Sequence, residues 1–323
     1  MSGGLRVRLV VIVPAFNEAQ DIARTLAAVP RSLAGFDEVR TLVIDDGSQD
    51  GTSALAEQAG ADAIVRHAKN RGLAAAFRTG LDAALAAGAD VIVNLDADGQ
   101  YDAKEIPALV APILEGTADI VVGTRPIDEM RHFSWPKRRA QRIGSWIVRL
   151  VSGLEVEDAT SGFRAFSDYA ARRIGVYSPH TYTLETLIQA GSTGLTVATV
   201  PISANGPTRP SRLMRSWPQY VRRSAVTIVR VFVVYRPFRF FAALSVLFGA
   251  VGAALIVRFL VHYLIAGGEG RVQSLVIGGA LLTIGVQMLV TAFLADAVAT
   301  NRRILEEIRY RLREPLREGP GGR

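Results

Sequence analysis

The sequence predicts an α/β domain with a mostly parallel sheet, followed by amphipathic helices at a membrane surface and then two transmembrane helices. Three observations carry this reading. Runs rich in Val and Ile alternate with helical patterns as far as Val200, the mark of βαβ units and a parallel sheet. Phe240 to Val257 and Val272 to Ala295 carry no charged residue. Charge divides between the two parts: 20 basic and 24 acidic residues up to Thr208, then 17 basic and 6 acidic from Arg209 onward.

The strands are expected at Leu9–Val13, Thr41–Ile44, Ala63–Val65, Val91–Leu95, Ile120–Val122 and Thr196–Val200. Between them a helix is expected over Glu18–Val29, with Asn17 as its N-cap. Asp50 caps a second helix through Ala59, which Gly60 ends, and Asn70–Ala87 forms a third, ended by Gly88. The opening segment is too short for a signal peptide: Leu9 to Val13 is the whole apolar run before Pro14.

From Arg209 to Tyr235, Arg212, Arg215, Arg222, Arg223 and Arg230 are spaced among Leu213, Trp217, Tyr220, Val226 and Phe232. This reads as short amphipathic helices in the lipid headgroup layer, with Pro218 breaking or starting one of them. A membrane span needs about 20 apolar residues. Phe240 to Val257 qualifies because its apolar pattern resumes after Arg258 and continues to Ala266. Val272 to Ala295 qualifies directly. The short Gly267–Arg271 link makes them a hairpin, and Arg258 near the loop snorkels outward. Arg236, Arg239, Arg302 and Arg303 flank the outer ends, which places both termini and the front domain in the cytoplasm. The small-residue runs Gly249–Ala254 and Gly278–Ala280 permit close helix packing, within one chain or in a homo-oligomer.

Composition excludes several function classes. With no cysteine, thiol catalysis, disulfides and Cys-based metal sites are absent. His67, His132, His180 and His262 are scattered and form no H-x-x-x-H pair. No G-x-G-x-x-G follows the first strand and no P-loop exists, which disfavours dinucleotide and P-loop enzymes. The basic half is apolar, so its partner is a membrane and not nucleic acid.

What stands at the strand ends is acidic. Pro14-Ala15-Phe16-Asn17-Glu18 follows the first strand, Asp45-Asp46-Gly47-Ser48-Gln49-Asp50-Gly51-Thr52 the second, and Asp96-Ala97-Asp98-Gly99-Gln100 the fourth. Ligands of such sheets bind outside the carboxyl ends of the strands. On an extended chain, Asp96, Asp98 and Gln100 share one side. Two carboxylates and an amide oxygen then make part of an oxygen cage for Mg²⁺ or Mn²⁺, with positions left for water and phosphate.

In order and spacing, these three segments resemble the family-two inverting glycosyltransferases of GT-A fold. Gly123-Thr124-Arg125, Ser161-Gly162-Phe163-Arg164-Ala165-Phe166 and the C-terminal hairpin make the chain similar to the dolichol-phosphate mannose synthase and polyprenyl-phosphate glycosyltransferase branch. The resemblance implies a nucleotide-sugar donor held by Pro14, Glu18 and Asp45 or Asp46. Asp96, Asp98 and Gln100 would hold the metal on its diphosphate, and Asn70, Arg71 and Gly72 would lie on the nucleotide side.

The acceptor implied is a polyprenyl phosphate. With a second pKa of about 6 it is already dianionic at neutral pH and needs cations more than a base. Arg125 is the first candidate for gripping it, followed by Arg138 and Arg139, with Arg142, Arg209 and Arg212 nearby. Asp158 is the candidate base or acceptor-orienting group. Glu185, near Thr183, would start a helix beside the sheet. Processive synthases are disfavoured because Q-x-x-R-W is absent; Gln219-Tyr220-Val221-Arg222-Arg223 lacks the tryptophan.

The expected organisation is a GT-A domain over 1–208, juxtamembrane helices over 209–237, the hairpin over 238–300 and a basic tail over 301–323. The expected activity is inverting transfer of a hexose from a GDP- or UDP-sugar to a polyprenyl phosphate at the cytoplasmic face of the membrane. Two alternatives stand beside it: transfer to another lipid hydroxyl such as diacylglycerol, and a non-catalytic membrane scaffold.

Overall fold

The computed structural model of the chain describes residues 7–125, 145–146, 149, 152–176, 182–203, 229–230, 233–266 and 272–313. The chain forms two compact units, one of residues 1–219 with 310–323 and one of residues 220–309.

The first unit holds a seven-stranded sheet: β1 (Arg8–Ala15), β2 (Glu38–Asp45), β3 (Ala63–Arg66), β4 (Val91–Asn94), β5 (Ile120–Thr124), β6 (Arg164–Ser167) and β7 (Val197–Pro201), in the order β3-β2-β1-β4-β6-β5-β7. All pairings are parallel except those of β6, which runs antiparallel between β4 and β5. The six expected strands are present, most of them longer than expected. β6 was not expected as a strand. Leu9, Val11, Val13, Val43, Val91, Val93, Val121, Phe163 and Ala165 build the core of one face.

Helices α1 (Ile22–Ala28), α2 (Thr52–Gln58), α3 (Leu73–Ala86), α4 (Ile106–Leu114), α5 (Asp168–Arg173) and α6 (Tyr182–Thr193) flank the sheet. Gly80 lets α3 lie directly on it: an added Cβ would meet Ile44 Cδ1 at 2.9 Å and Ile12 Cδ1 at 3.1 Å. α1 begins later than expected, and Asn17 does not cap it. Asn17 takes a left-handed φ of 54° and ties two loops together instead.

The second unit contains α7 (Pro237–Ala266) and all but the last four residues of α8 (Val272–Arg313). Both are long and apolar enough to cross a membrane, and only 6% and 17% of their most apolar windows are buried. They are therefore not the core of a soluble fold. A Cβ on Gly252 would lie 2.8 Å from the Gly278 carbonyl oxygen, and one on Gly285 3.1 Å from the Gly249 amide nitrogen. These glycines bring the two backbones into contact within the hairpin. α8 runs on to Arg313, so the start of the expected tail is helical.

Candidate active site

The order of the sheet reverses at β1, whose neighbours are β2 and β4. A crevice opens outside the carboxyl ends of parallel strands at such a point. Glu18, Asp45, Asp46, Asp96 and Arg125 all stand at or just beyond these ends. Because β6 is antiparallel, the chain from Asp158 to Phe163 enters it from the same end, where Arg164 lies opposite Asn94 and Val122.

The first two loops are stitched together. Asn17 N–H donates to Ser48 Oγ (2.9 Å), Gln49 N–H to Asn17 Oδ1 (3.0 Å), Glu18 N–H to Thr52 Oγ1 (3.0 Å) and Ala19 N–H to Asp50 Oδ2 (3.1 Å). This fixes the mostly buried Glu18. Pro14 lies within β1 opposite Ile44.

The two aspartates left open by the sequence face different groups. Asp45 accepts from Ser48 N–H (2.7 Å) and Ser53 Oγ–H, with Arg66 Nε at 3.4 Å. Asp46 accepts from His67 Nδ1–H (2.7 Å), Arg71 N–H (2.9 Å) and Gly72 N–H (2.8 Å).

Asp96, Asp98 and Gln100 do not lie along an extended chain. Residues 97–99 turn, with Gly99 at φ 68°, and Gln100 N–H closes the turn onto Asp98 Oδ1 at 3.1 Å. Gly99 and Asp98 favour that turn locally, which overrides the period-two expectation. Asp96 Oδ1 is buried and accepts no hydrogen bond. Burial, followed by the charge of Asp98, pushes the Asp96 carboxyl up to about 7, with Arg125 opposing. A buried carboxylate oxygen without a donor, beside a second carboxylate, fits a divalent cation. No group of three or more His, Asp or Glu side chains forms a cage among the described residues, so most ligands would come from water and phosphate.

Asp158 is fully buried and paired to Arg125: Nε to Oδ2 at 2.6 Å and Nη2 to Oδ1 at 3.1 Å, with Nη2 also 2.9 Å from Thr160 Oγ1. Burial alone would raise the Asp158 carboxyl; the hydrogen bonds and charge of Arg125, with Thr160, outweigh it and hold the group below the usual carboxylate range. A depressed native pKa adds stability that is present above the unfolded value and lost as pH falls through the native one. Asp158→Asn leaves the Arg125 charge uncompensated, which costs roughly 3 kcal/mol or more at pH 7. The expected melting-midpoint penalty, measured in detergent, shrinks below about pH 4. An equal penalty from pH 3 to pH 7 would contradict the pairing.

Several contributors were not expected. Tyr101 accepts from Gly162 N–H through its hydroxyl at 3.1 Å, and its ring stacks on Phe163 at 5.3 Å. Asn94 Nδ2 donates to Gly162 O (2.8 Å) and Tyr182 Oη (3.1 Å), while the Tyr182 ring stacks on Phe77 at 4.1 Å. Arg164, fully buried, donates to Ala159 O, Ser161 O, Thr183 O and Thr186 Oγ1. It anchors the loop of Asp158 to the first turn of α6, where Glu185 is buried. Burial lowers the Arg164 guanidinium to about 10. Arg138, Arg139, Arg142, Arg209 and Arg212 lie outside the described residues, as do residues 209–228 of the helices expected over 209–237.

Comparison with known proteins places the chain among described families. The model of Glycosyl transferase family 2 matches residues 10–175. The polyprenol monophosphomannose synthase of Mycolicibacterium smegmatis is 30% identical over 61% of this chain and 77% of its own length. The undecaprenyl-phosphate mannosyltransferase of Micrococcus luteus is 32% identical over 52% of this chain and 70% of its own. Among solved structures, glucosyl-3-phosphoglycerate synthase from Mycobacterium tuberculosis, in complex with Mn²⁺, UDP and glucosyl-3-phosphoglycerate, matches with TM-score 0.53 and 20% identity over 71% of this chain and 79% of that one. That likeness is one of fold, the GT-A fold.

Proposed function

The chain belongs to glycosyl transferase family 2, and from that membership we propose that it transfers a hexose from a GDP- or UDP-sugar to a polyprenyl phosphate, with inversion, at the cytoplasmic face of a membrane. It is a glycosyltransferase. Relatives named for polyprenol and undecaprenyl-phosphate mannosyl transfer support the acceptor class. Two helices able to cross a membrane support the location of such an acceptor. The proposed organisation is a GT-A domain over 1–208, juxtamembrane helices over 209–237, a hairpin over 238–300 and a basic tail over 301–323.

Pro14, Glu18 and Asp45 are assigned to the nucleoside, where carboxylates accept from base N–H and ribose hydroxyls. Asp96 and Asp98, with Gln100, are assigned to a divalent cation, Mg²⁺ or Mn²⁺. When bound, this ion would neutralise charge developing on the leaving nucleoside diphosphate. Arg125 is assigned to the acceptor phosphate, together with Arg138, Arg139 and Arg212. Its Nε and Nη2 are committed to Asp158 and Thr160, which fixes the guanidinium plane before substrate arrives. A phosphate oxygen attacks the anomeric carbon, the bond to the diphosphate oxygen breaks, and its electron pair leaves with the diphosphate.

The observation that carries this reading against a hydroxyl acceptor is the Arg125–Asp158 pair. A hydroxyl needs a general base, and a buried Asp158 held in its charged form by Arg125 is a poor one. A phosphate dianion needs none. The test is transfer in detergent from a panel of GDP- and UDP-sugars to a short polyprenyl phosphate, comparing wild type with Asp98→Ala. Labelled lipid from one donor, lost in the variant, is expected. Donor hydrolysis without lipid product would move the acceptor elsewhere. No binding of any nucleotide sugar would overturn the transferase reading.

A further inference from the structure

The loop from His67 to Gly72 joins β3 to α3 and is pinned by one carboxylate. Asp46 takes three donors from it, the His67 ring and the Arg71 and Gly72 amides. A carboxylate only accepts, so His67 Nδ1 carries the proton in this contact. In the neutral ring Nε2 then accepts from the Thr79 hydroxyl of α3, 3.0 Å away. His67 is 7% exposed and Asp46 3%. The turn after Asp46 closes on the same loop. Gly47 has φ 77°, and a Cβ there would lie 2.7 Å from the Lys69 carbonyl carbon and 2.8 Å from Asn70 N. No side chain fits between the two backbones.

These contacts weld the loops after β2 and β3 into one body. Asp45, at the end of β2, is joined to it too: its carbonyl accepts from His67 N–H at 2.8 Å, and Arg66 reaches both the Asp45 carboxylate and the Ser48 carbonyl oxygen. Three of the roughly four acceptor sites of the Asp46 carboxylate face this loop, and the residue is buried, so its main service is to the loop.

We propose that His67 and Asp46 are positioning residues for the donor nucleotide: the His67–Asp46 clip holds the His67–Gly72 loop and the Asp45 turn in the geometry that receives the nucleoside, without itself touching the substrate. This rests on the transferase reading. It predicts an effect on donor binding and on KM for the donor, with kcat nearly unchanged.

The test uses the full chain in detergent with His67→Ala and His67→Asn. Asparagine places an amide N–H near the position of Nδ1 and preserves the donor to Asp46. UDP and GDP, each with Mn²⁺, are titrated calorimetrically, and amide exchange at Arg71 and Gly72 is followed without nucleotide. For whichever nucleotide the wild type binds, His67→Ala is expected to weaken binding about tenfold, since a buried acceptor loses its donor. His67→Asn should stay within about threefold of wild type. Exchange at Arg71 and Gly72 should rise in His67→Ala only. Unchanged nucleotide affinity in His67→Ala, whether or not the melting point falls, overturns the positioning role, as does unchanged exchange. Wild type that binds neither nucleotide overturns the transferase reading and the donor role together, and exchange then still reports whether the clip holds the loop.

Discussion

Asp96→Asn is expected to lower transfer by about a thousandfold, equal to about 4 kcal/mol of transition-state stabilisation, and to remove measurable Mn²⁺ binding. The same change should leave the fold as stable as before, or slightly more stable. Asp96 keeps one buried oxygen without a hydrogen-bond donor and stands against the charge of Asp98. An amide removes that repulsion along with the metal ligand. Sites that hold such arrangements trade stability for function. Transfer rate, Mn²⁺ titration and melting point on one preparation check all three expectations. A variant with activity within about tenfold of wild type would take Asp96 out of the metal site.

Gly162→Ala is expected to cost about a hundredfold in transfer, the usual penalty for a misplacement of about 1 Å, with little loss of secondary structure. The new methyl would lie 2.8 Å from Asp96 Oδ2 and 2.8 Å from Tyr182 Oη. Tyr182 cannot yield easily, since Phe77 stacks on its ring and Asn94 holds its hydroxyl. The Asp96 carboxyl is the group left to move. Nor does the backbone at Gly162 require glycine, because its φ is not among the positive ones. The penalty therefore belongs to the contact and not to strain in the chain. Measured transfer near wild type would mean that the loop shifts and the carboxylate does not. Weakened Mn²⁺ affinity alongside lost transfer would locate the damage at Asp96.

Much of the sheet was legible because its parallel strands are buried on both faces and read as unbroken Val and Ile runs. β6 was not, since Arg164-Ala165-Phe166-Ser167 is short and opens on an arginine, whose burial rests on the preceding loop and on Thr183 and Thr186 of α6. The acidic strand ends were legible by applying one rule of sheet topology. Applied to β3 as well, that rule would have singled out His67, the first residue beyond it. Tyr101 and Tyr182 gave no local signal. They act on Gly162 and Asn94, 61 and 88 residues away in the chain, and no periodicity reaches that far. Asp96 to Gln100 departs from extended alternation because the turn preference of Asp98-Gly99 dominates locally. Asn17 misled as a helix cap because its side chain serves a neighbouring loop.

The antiparallel position of β6 also bears on how the chain is made. β4 and β5 are never neighbours; both wait for β6. As the chain emerges during synthesis, β1, β2 and β3 can assemble and accept β4. The other edge of β4 then stays bare until Arg164–Ser167 arrives, some 70 residues after Asn94. A bare edge of four buried apolar and amide residues is a template for pairing with other chains, and long-range pairing of this kind forms slowly. A nascent chain halted between β5 and β6 would thus expose unpaired edges and would not form a smaller stable domain. Gly162 reaches Asp96 only together with β6, about halfway along the 323-residue chain and before either apolar helix has been made.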